Sequence, residues 1–242
     1  MPFPPETRSV PTFWIRFYLR QCLLLAVSGL AIALLFRNNR LDLQLADPFF
    51  DFGNHLWPYR NAWWAKTLVH SWLKGVLILV ALGFLRIAWK HRRMADRRRW
   101  RFVASSIVAV PLAVSLWKHN SPMHCPWDID RYDGYAPYFD LLSSFSSHAE
   151  IPGHCFPAGF VSTSGWLLAF ALLRYPENPR FSRHAAGGAL ALCLFLGLVQ
   201  QMRGAHFLSH VLWTIWLSWA IVVLLHALLG AWREPLTTAR PE

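Results

Sequence analysis

Apolar residues occur along this chain in long blocks that short charged stretches separate. A helix needs about 20 mainly apolar residues to cross the hydrocarbon core of a bilayer. The pattern therefore predicts an all-α, polytopic membrane protein with six transmembrane helices. The predicted spans cover residues 17–36, 73–89, 102–117, 157–173, 185–200 and 208–229. We treat residues 1–242 as a single integral-membrane domain.

The distribution of charge predicts which way the spans run. Residues 86–101 hold eight Lys and Arg against one acid, Asp96. Cytoplasmic loops of membrane proteins are rich in Lys and Arg, so we place this segment in the cytoplasm. Both termini, including the tail from residue 233, are then cytoplasmic. The acidic loop 118–156 then faces outward, and its acids include Asp128, Asp140 and Glu150. The tryptophan-rich stretch 37–74 predicts one or two interfacial helices on the same outer face.

The net charge of +11 raises the question of nucleic-acid binding. The basic residues flank apolar blocks, and no nucleic-acid-binding module is present, so we exclude this class of partner. Membrane lipids are the expected surroundings, in the inner (cytoplasmic) membrane of a bacterium. Cys125 and Cys155 both fall in the predicted outer loop, where an oxidising compartment allows a disulfide. The sequence leaves the bond itself open, and it leaves the oligomeric state open too.

Three polar segments lie at the predicted outer ends of spans, at residues 118–128, 153–160 and 200–210. We expect them to meet at one membrane face. His206 and His210 are four residues apart and share a helix face. They fit a nucleophile with its orienting partner, a pair of metal ligands, or structural residues at a helix end.

Basic side chains in the same segments fit the recognition of an anion. A phosphate needs several cationic donors around one point, and Lys118, Arg131 and Arg203 can supply them from separate segments. A helix predicted to open at residue 157 would present free backbone N–H groups, with Gly159 allowing a close approach.

The order and spacing of these segments resemble the type 2 phosphatidate phosphatase superfamily, which also includes the vanadium haloperoxidases. That family's motifs are Lys-x6-Arg-Pro, Pro-Ser-Gly-His and Arg-x5-His-x3-Asp. The resemblance covers residues 118–210, the catalytic half. It looks closest to a bacterial membrane-associated branch with the stretches His-Cys-Pro-Trp-Asp and Arg-Gly-Ala-His-Phe-Leu-Ser-His, which occur here at 124–128 and 203–210.

The resemblance assigns roles to individual residues. Lys118 matches the phosphate-binding Lys, Gly159 matches the Gly of the second motif, and His206 matches the nucleophile that forms a phosphohistidine. His210 stands where the family has the orienting Asp. Three other motif positions carry different residues from those of the family. Cys125 and Gln200 stand at the two Arg positions, and Ala158 stands at the Ser position. Arg203 lies about one helical turn beyond Gln200.

Phe160 is the most consequential departure, because the family has a His there as the general acid. A phenyl ring transfers no proton, and general acid catalysis is worth about 10²–10⁴-fold. Three explanations stay open. The substitution inactivates the enzyme, the chain is a binding-only relative, or a neighbour such as His154 or His124 donates the proton.

The resemblance implies a lipid phosphatase or phosphotransferase at the periplasmic face, cleaving a phosphomonoester or pyrophosphate without metal or organic cofactor. Candidate substrates are undecaprenyl pyrophosphate, lipid A phosphates, phosphatidylglycerol phosphate and phosphatidate. The alternative from another class is a non-catalytic protein of the same fold that binds or transports a lipid phosphate. A third is a metal-dependent membrane enzyme that uses His206, His210 and His124.

Overall fold

The computed structural model describes residues 10–37, 40–138 and 152–230. Within these ranges the chain is helical and forms no β-strand, which confirms the all-α class. The predicted acids Asp140 and Glu150 and the predicted cytoplasmic tail from residue 233 lie outside the described residues.

Eight α-helices follow one another in the described part of the chain. They are α1 (Val10–Leu35), α2 (Arg40–Ala46), α3 (Lys74–Lys90), α4 (Arg97–His119), α5 (Gly159–Gly165), α6 (Ala169–Leu173), α7 (Pro179–Met202) and α8 (Leu208–Leu228). A π-helix, Trp64–Leu73, runs directly into α3, and a 3₁₀ turn, Trp166–Leu168, joins α5 to α6.

Five of these helical segments are long and apolar enough to cross a membrane. They are Thr12–Leu35, Trp64–Arg93, Arg97–His119, Pro179–Met202 and Leu208–Leu228. Large apolar side chains on their outer faces are exposed, as Leu23, Leu79 and Leu112 illustrate. Exposed apolar surface of this extent fits contact with lipid and supports a multi-pass membrane protein.

The segment predicted as the fourth span is shorter than the other five. The apolar helix there covers Gly159–Leu173, about 22 Å at 1.5 Å per residue, against about 30 Å for the hydrocarbon core. Most of its side chains are buried inside the bundle, among them Val161, Trp166 and Leu172. The described residues thus hold five helices of membrane-spanning length and one shorter apolar helix, and the prediction of six spans is not confirmed.

The second predicted span begins too late. We placed its start at residue 73, but the helix already starts at Trp64 and continues for 30 residues to Arg93. Trp64 and Trp72, which we assigned to an interfacial helix, belong instead to this long helix. The rest of that stretch holds the short helix α2. Tryptophans among charges indicate an interface, and here that signal marked a helix end rather than a separate element.

Small residues let the central helices approach closely. α8 packs against α1, α4, α5 and α7, and α5 lies between α4, α7 and α8. A Cβ added at Gly165 would lie 2.4 Å from the Ser218 Oγ, and one at Gly197 would lie 2.3 Å from a Val211 methyl group. Glycine at these two positions therefore brings α5 and α7 into direct contact with α8.

The bundle has two chemically different ends. At one end α4 and α7 finish and α5 and α8 begin, and we call this the His206 end. At the opposite end, which we call the basic end, α3 passes to α4 through the Lys- and Arg-rich residues of 86–101. There the buried Arg99 pairs with Glu177 and donates to the Leu173 carbonyl.

Candidate active site

Backbone hydrogen bonds and a disulfide join the first two polar segments at the His206 end. Three amide groups of residues 153–155 donate to carbonyls of residues 121–123, at 2.9–3.1 Å. Cys125 and Cys155 form a disulfide across the same junction. The predicted meeting of these segments, and the bond that the sequence left open, are both present in the structure.

The third segment is attached to both of the others. The Trp127 amide donates to the Gly204 carbonyl at 2.9 Å. The Ala158 amide donates to the His210 carbonyl at 3.4 Å. Gly204 has a positive φ of 73°, and an added Cβ would lie 2.5 Å from the Trp57 ring. Only glycine fits this turn without strain, and the turn places the next residues at the junction.

His206 lies at this junction, just before α8 begins. Its side chain is 5% exposed, and its Nδ1 lies 3.5 Å from the Cys155 Sγ. Because that sulfur is part of a disulfide, it carries no hydrogen and can only accept. Burial first, and the charge of Lys118 second, lower the pKa of His206 well below its ordinary value. The imidazole is therefore neutral at physiological pH and keeps a lone pair for attack.

Lys118 reaches the site from the last turn of α4. Its side-chain Cδ would lie 3.5 Å from a Cβ at Gly159, which begins α5. Among the residues that the structure describes, no carboxylate forms a salt bridge with its ammonium. An ammonium without a carboxylate, held beside a buried imidazole, suits an anionic ligand.

Arg203 supplies a second cation, next to Gln200. Its Nη1 donates to the Gln200 Oε1 at 3.0 Å, and its Nε donates to the Arg60 carbonyl at 3.2 Å. Burial first, and the like charge of Arg60 second, lower the pKa of Arg203. An arginine pKa starts so high that the guanidinium stays charged. The expected proximity of Arg203 and Gln200 is thus present, while Arg60 is a neighbour that the sequence analysis missed.

His210 lies on α8 and is fully buried. Its ring centroid is 5.8 Å from that of His206, and the rings of Phe156 and Phe207 lie at 5.4 and 5.5 Å. Neither ring nitrogen of His210 has a hydrogen-bond partner among the described residues. The two imidazoles are therefore neighbours, as the i, i+4 spacing predicts, but the atom in contact with the His206 Nδ1 is the Cys155 sulfur.

Arg131, the third predicted cation, is engaged by a carboxylate. Its Nε and Nη2 donate to the two Asp47 oxygens at 2.9 and 2.7 Å, and the Tyr132 hydroxyl donates to the same group at 2.8 Å. Hydrogen bonds from Arg131 are the main cause that lowers the pKa of Asp47. A phosphate would have to displace this bidentate ion pair to use Arg131.

Phe160 is buried in α5 and contacts a histidine that the sequence analysis did not single out. The ring centroids of Phe160 and His70 are 4.7 Å apart. His70 lies on the π-helix before α3, and its Nδ1 is buried without a hydrogen-bond partner among the described residues. The predicted second span began at residue 73, so His70 fell outside it, and the prediction gave no reason to place His70 near the three polar segments.

The two histidines proposed as replacement acids have other neighbours. His154 is exposed and stacks on His119, with ring centroids 5.6 Å apart. His124 is buried and packs edge-on against Tyr135 at 5.5 Å.

The atoms that could hold a metal ion near His206 are the sulfurs of Cys125 and Cys155. Because these sulfurs are bonded to each other, neither is a thiolate, which is the form that binds metals. This group therefore offers a single imidazole as a metal ligand.

A buried carboxylate supports the start of α8. Asp42 of α2 accepts from the Ser209 amide at 3.0 Å and also from the Ser209 hydroxyl. A carboxylate at a helix N-terminus satisfies free N–H groups and complements the helix dipole. Asp42 therefore anchors the helix that follows His206. No sequence motif marked it, since α2 and α8 are far apart in the chain.

A sequence model of the PAP2 superfamily matches residues 99–234, more than half of the chain. This range begins in α4 and contains all three polar segments. No significant match was found among curated proteins or among solved structures.

Proposed function

Since this chain belongs to the PAP2 superfamily, the type 2 phosphatidate phosphatases, we propose that it is a membrane phosphatase or phosphotransferase. It cleaves a phosphomonoester or pyrophosphate of a lipid through a phosphohistidine at His206. Members of this superfamily are generally phosphoric-ester hydrolases, and the reaction type follows from that membership.

One observation carries the proposal. A buried, neutral imidazole at His206 lies within electrostatic reach of Lys118, whose ammonium has no carboxylate partner among the described residues. The neutral ring is nucleophilic, and the cation attracts a phosphoryl group to it. Arg203, which is hydrogen-bonded to Gln200, and the buried Gln200 Nε2, which has no partner in the described part of the chain, add donors at the same end of the bundle.

The steps follow from this arrangement. The His206 Nδ1 faces the Cys155 sulfur, which leaves Nε2 to attack phosphorus. The bond from phosphorus to the leaving oxygen breaks as the nitrogen–phosphorus bond forms, and Lys118 and Arg203 stabilise the charge on the equatorial oxygens. Water, or an acceptor alcohol in a transferase, then attacks the phosphohistidine and frees His206. The Gly159 amide, which we expected at the anion site, is at the start of α5 beside Lys118. Arg131 has no role in these steps, because its guanidinium is hydrogen-bonded to both carboxylate oxygens of Asp47.

Two features support a site on the periplasmic side of a bacterial inner membrane. A disulfide adjoins His206, and disulfides persist in oxidising compartments. The opposite end of the bundle is rich in Lys and Arg, as cytoplasmic ends are. A site at the end of apolar helices favours a substrate whose tails stay in the bilayer.

The proposal is tested with purified protein in mixed micelles. Phosphate release from phosphatidate and from a polyprenyl pyrophosphate is measured for the parent, for His206→Ala and for His184→Ala. His184 is an exposed histidine on α7 that bonds to the Arg180 carbonyl, so it serves as a matched control. We expect His206→Ala to abolish turnover and His184→Ala to retain it. Acid-labile, base-stable ³²P on the parent, absent from His206→Ala, identifies the intermediate.

A lipid-phosphate-binding or transport protein is the second candidate, and buried Phe160 favours it because a phenyl ring cannot protonate a leaving group. Equilibrium binding of phosphatidate to the same samples separates the two. Tight binding with no phosphate release above background, in parent and His206→Ala alike, would establish the binding function instead.

A further inference from the structure

Cleavage of an alkyl phosphate at His206 requires a proton donor for the departing oxygen. An alkoxide is a poor leaving group, and protonation by a placed side chain contributes about 10²–10⁴-fold. Phe160, on the helix that begins beside Lys118, carries no proton. The donor must therefore be another group that faces the same space.

Most described histidines are already engaged elsewhere. His55 and His91 contact carboxylates, His184 contacts a backbone carbonyl, His226 contacts the Tyr18 hydroxyl, and His119 and His154 stack on each other. His210 is fully buried behind aromatic rings. The His124 Nδ1 is also buried without a partner among the described residues, but its ring packs edge-on against Tyr135, whereas that of His70 packs on Phe160.

His70 is half-buried, and its ring packs on Phe160 with centroids 4.7 Å apart. Phe160 belongs to α5, and the first residue of that helix, Gly159, lies beside the Lys118 side chain. His70 is therefore in ring contact with the helix that borders the site, yet it belongs to a helix outside the three polar segments. Its Nδ1 is buried without a partner among the described residues, so the ring is not committed to a structural hydrogen bond.

The local backbone is unusual at this position. His70 lies within a π-helix of 10 residues, Trp64–Leu73. π-helical turns are rare, and they occur frequently at functional sites because they redirect side chains from the regular helical register. Ala65 and Val69 of the same segment are buried against Phe160 and Val199, which holds the π-helix against α5 and α7.

We propose that His70 is the general acid of this enzyme and that Phe160 packs against its ring and orients it, a proposal that rests on the function proposed above. Binding of the anionic phosphate favours the protonated form of His70, and as the His206 Nε2 attacks phosphorus, the His70 imidazolium gives its proton to the departing lipid oxygen. In the second step neutral His70 takes a proton from the attacking water, and phosphate leaves as His206 is freed. Both histidines then return to their starting protonation states.

The test compares two substrates that differ in the basicity of the leaving oxygen. Phosphatidate releases a strongly basic oxygen, whereas an amphiphilic nitrophenyl phosphate releases a weakly basic phenolate that needs no proton. The variants are His70→Phe, His70→Gln and the exchange His70→Phe/Phe160→His, which moves the imidazole across the ring contact. His206→Ala and His184→Phe are the controls, and monodisperse elution in detergent reports folding.

We expect His70→Phe and His70→Gln to lower kcat/KM for phosphatidate about 10²–10⁴-fold. The nitrophenyl phosphate should lose less than about tenfold, since loss of a general acid matters only for a basic leaving group. The exchange variant should recover at least about tenfold on phosphatidate, within the range that a general acid contributes. If His70→Phe does not fold, His70→Gln carries the comparison.

An equal loss on both substrates, unchanged phosphatidate turnover, or no recovery in a folded exchange variant would overturn the role of His70. In each of these cases an active parent and an inactive His206→Ala leave the proposed phosphatase function in place. If the parent itself does not exceed background, the function proposed above fails instead.

Discussion

Two cations, Lys118 in the last turn of α4 and Arg131 in the loop that follows it, have opposite surroundings. The Arg131 guanidinium is held by both oxygens of Asp47, and the Tyr132 hydroxyl completes the group. Lys118 has no carboxylate partner among the described residues, and at the same end of the bundle buried nitrogens of Gln200 and His210 have no hydrogen-bond partner there either. Buried polar groups are normally satisfied, so the first group is complete as it stands and the second is arranged for a ligand.

Removing Lys118 should have the largest effect on activity. Lys118→Met keeps the length of the stem and deletes the charge, and the loss of one preorganised donor costs about 10²–10³-fold in kcat. Arg131→Met removes the same kind of charge from the paired group and should change kcat by less than about twofold, since the cation is already neutralised. Steady-state phosphate release measures both, and equal losses would show that the two cations share one role.

Opening the disulfide should affect both stability and the position of His206. The bond closes a separation of 30 residues, which corresponds to about 3–4 kcal/mol in the chain-entropy account. We expect the free energy of unfolding of Cys125→Ser/Cys155→Ser to be lower by this amount. We also expect the variant to lose activity, because the Cys155 sulfur contacts the His206 ring. Denaturing-detergent titrations of parent and variant measure the difference. Reduction of the parent should reproduce it, and a reduced protein as stable and active as the parent would contradict this account.

The ionisation of buried Asp42, which supports the start of α8 after His206, should make the free energy of unfolding depend on pH. Burial is the main cause that raises the pKa of Asp42 from 3.8 to about 6. A raised folded-state pKa favours the protonated native protein, so its contribution to stability is full below about pH 4 and is lost as the pH rises through 6. That loss amounts to at most about 3 kcal/mol.

Asp42→Asn retains both hydrogen-bonding positions toward Ser209 and does not ionise. We expect its unfolding free energy to stay flat between pH 4 and 6, where that of the parent falls. Parallel curves for the two proteins would exclude Asp42 as the titrating group.

The smallest effect is expected at Asp47. Its folded-state pKa is lowered, so the ion pair stabilises the protein above the unfolded pKa of 3.8 and is lost as the pH falls through the lower folded value. The pair is partly exposed, so Asp47→Asn should cost no more than about 1 kcal/mol at neutral pH and leave kcat unchanged. Equilibrium unfolding and phosphate release test the two statements separately. A loss of activity in Asp47→Asn would show that the Arg131–Asp47 pair contributes to catalysis.

Different parts of the molecule were predictable to different degrees. The spans that became α4, α7 and α8 were placed within a few residues at their outer ends, because long apolar blocks indicate such helices directly. The start of the helix at Trp64 was missed, since tryptophans and lysine near a helix end are equally typical of an interfacial segment. Residues 157–173 were predicted as a span, and the apolar helix there, Gly159–Leu173, is shorter and mostly buried in protein, an environment that hydropathy does not distinguish from lipid.

Periodicity, charge and motif spacing are properties of the linear chain, and they were enough to predict the all-α class, the family and three polar segments with His206, Lys118 and Arg203. The ion pair between Asp47 and Arg131, the contact of Cys155 with the His206 ring and the packing of His70 on Phe160 became visible only in the folded protein. Each of these contacts joins segments that are far apart along the chain, and no sequence pattern marks the two residues as partners. They depend on how closely helices pack, and that packing depends on the volumes of side chains such as Gly165 and Gly197 where the helices meet.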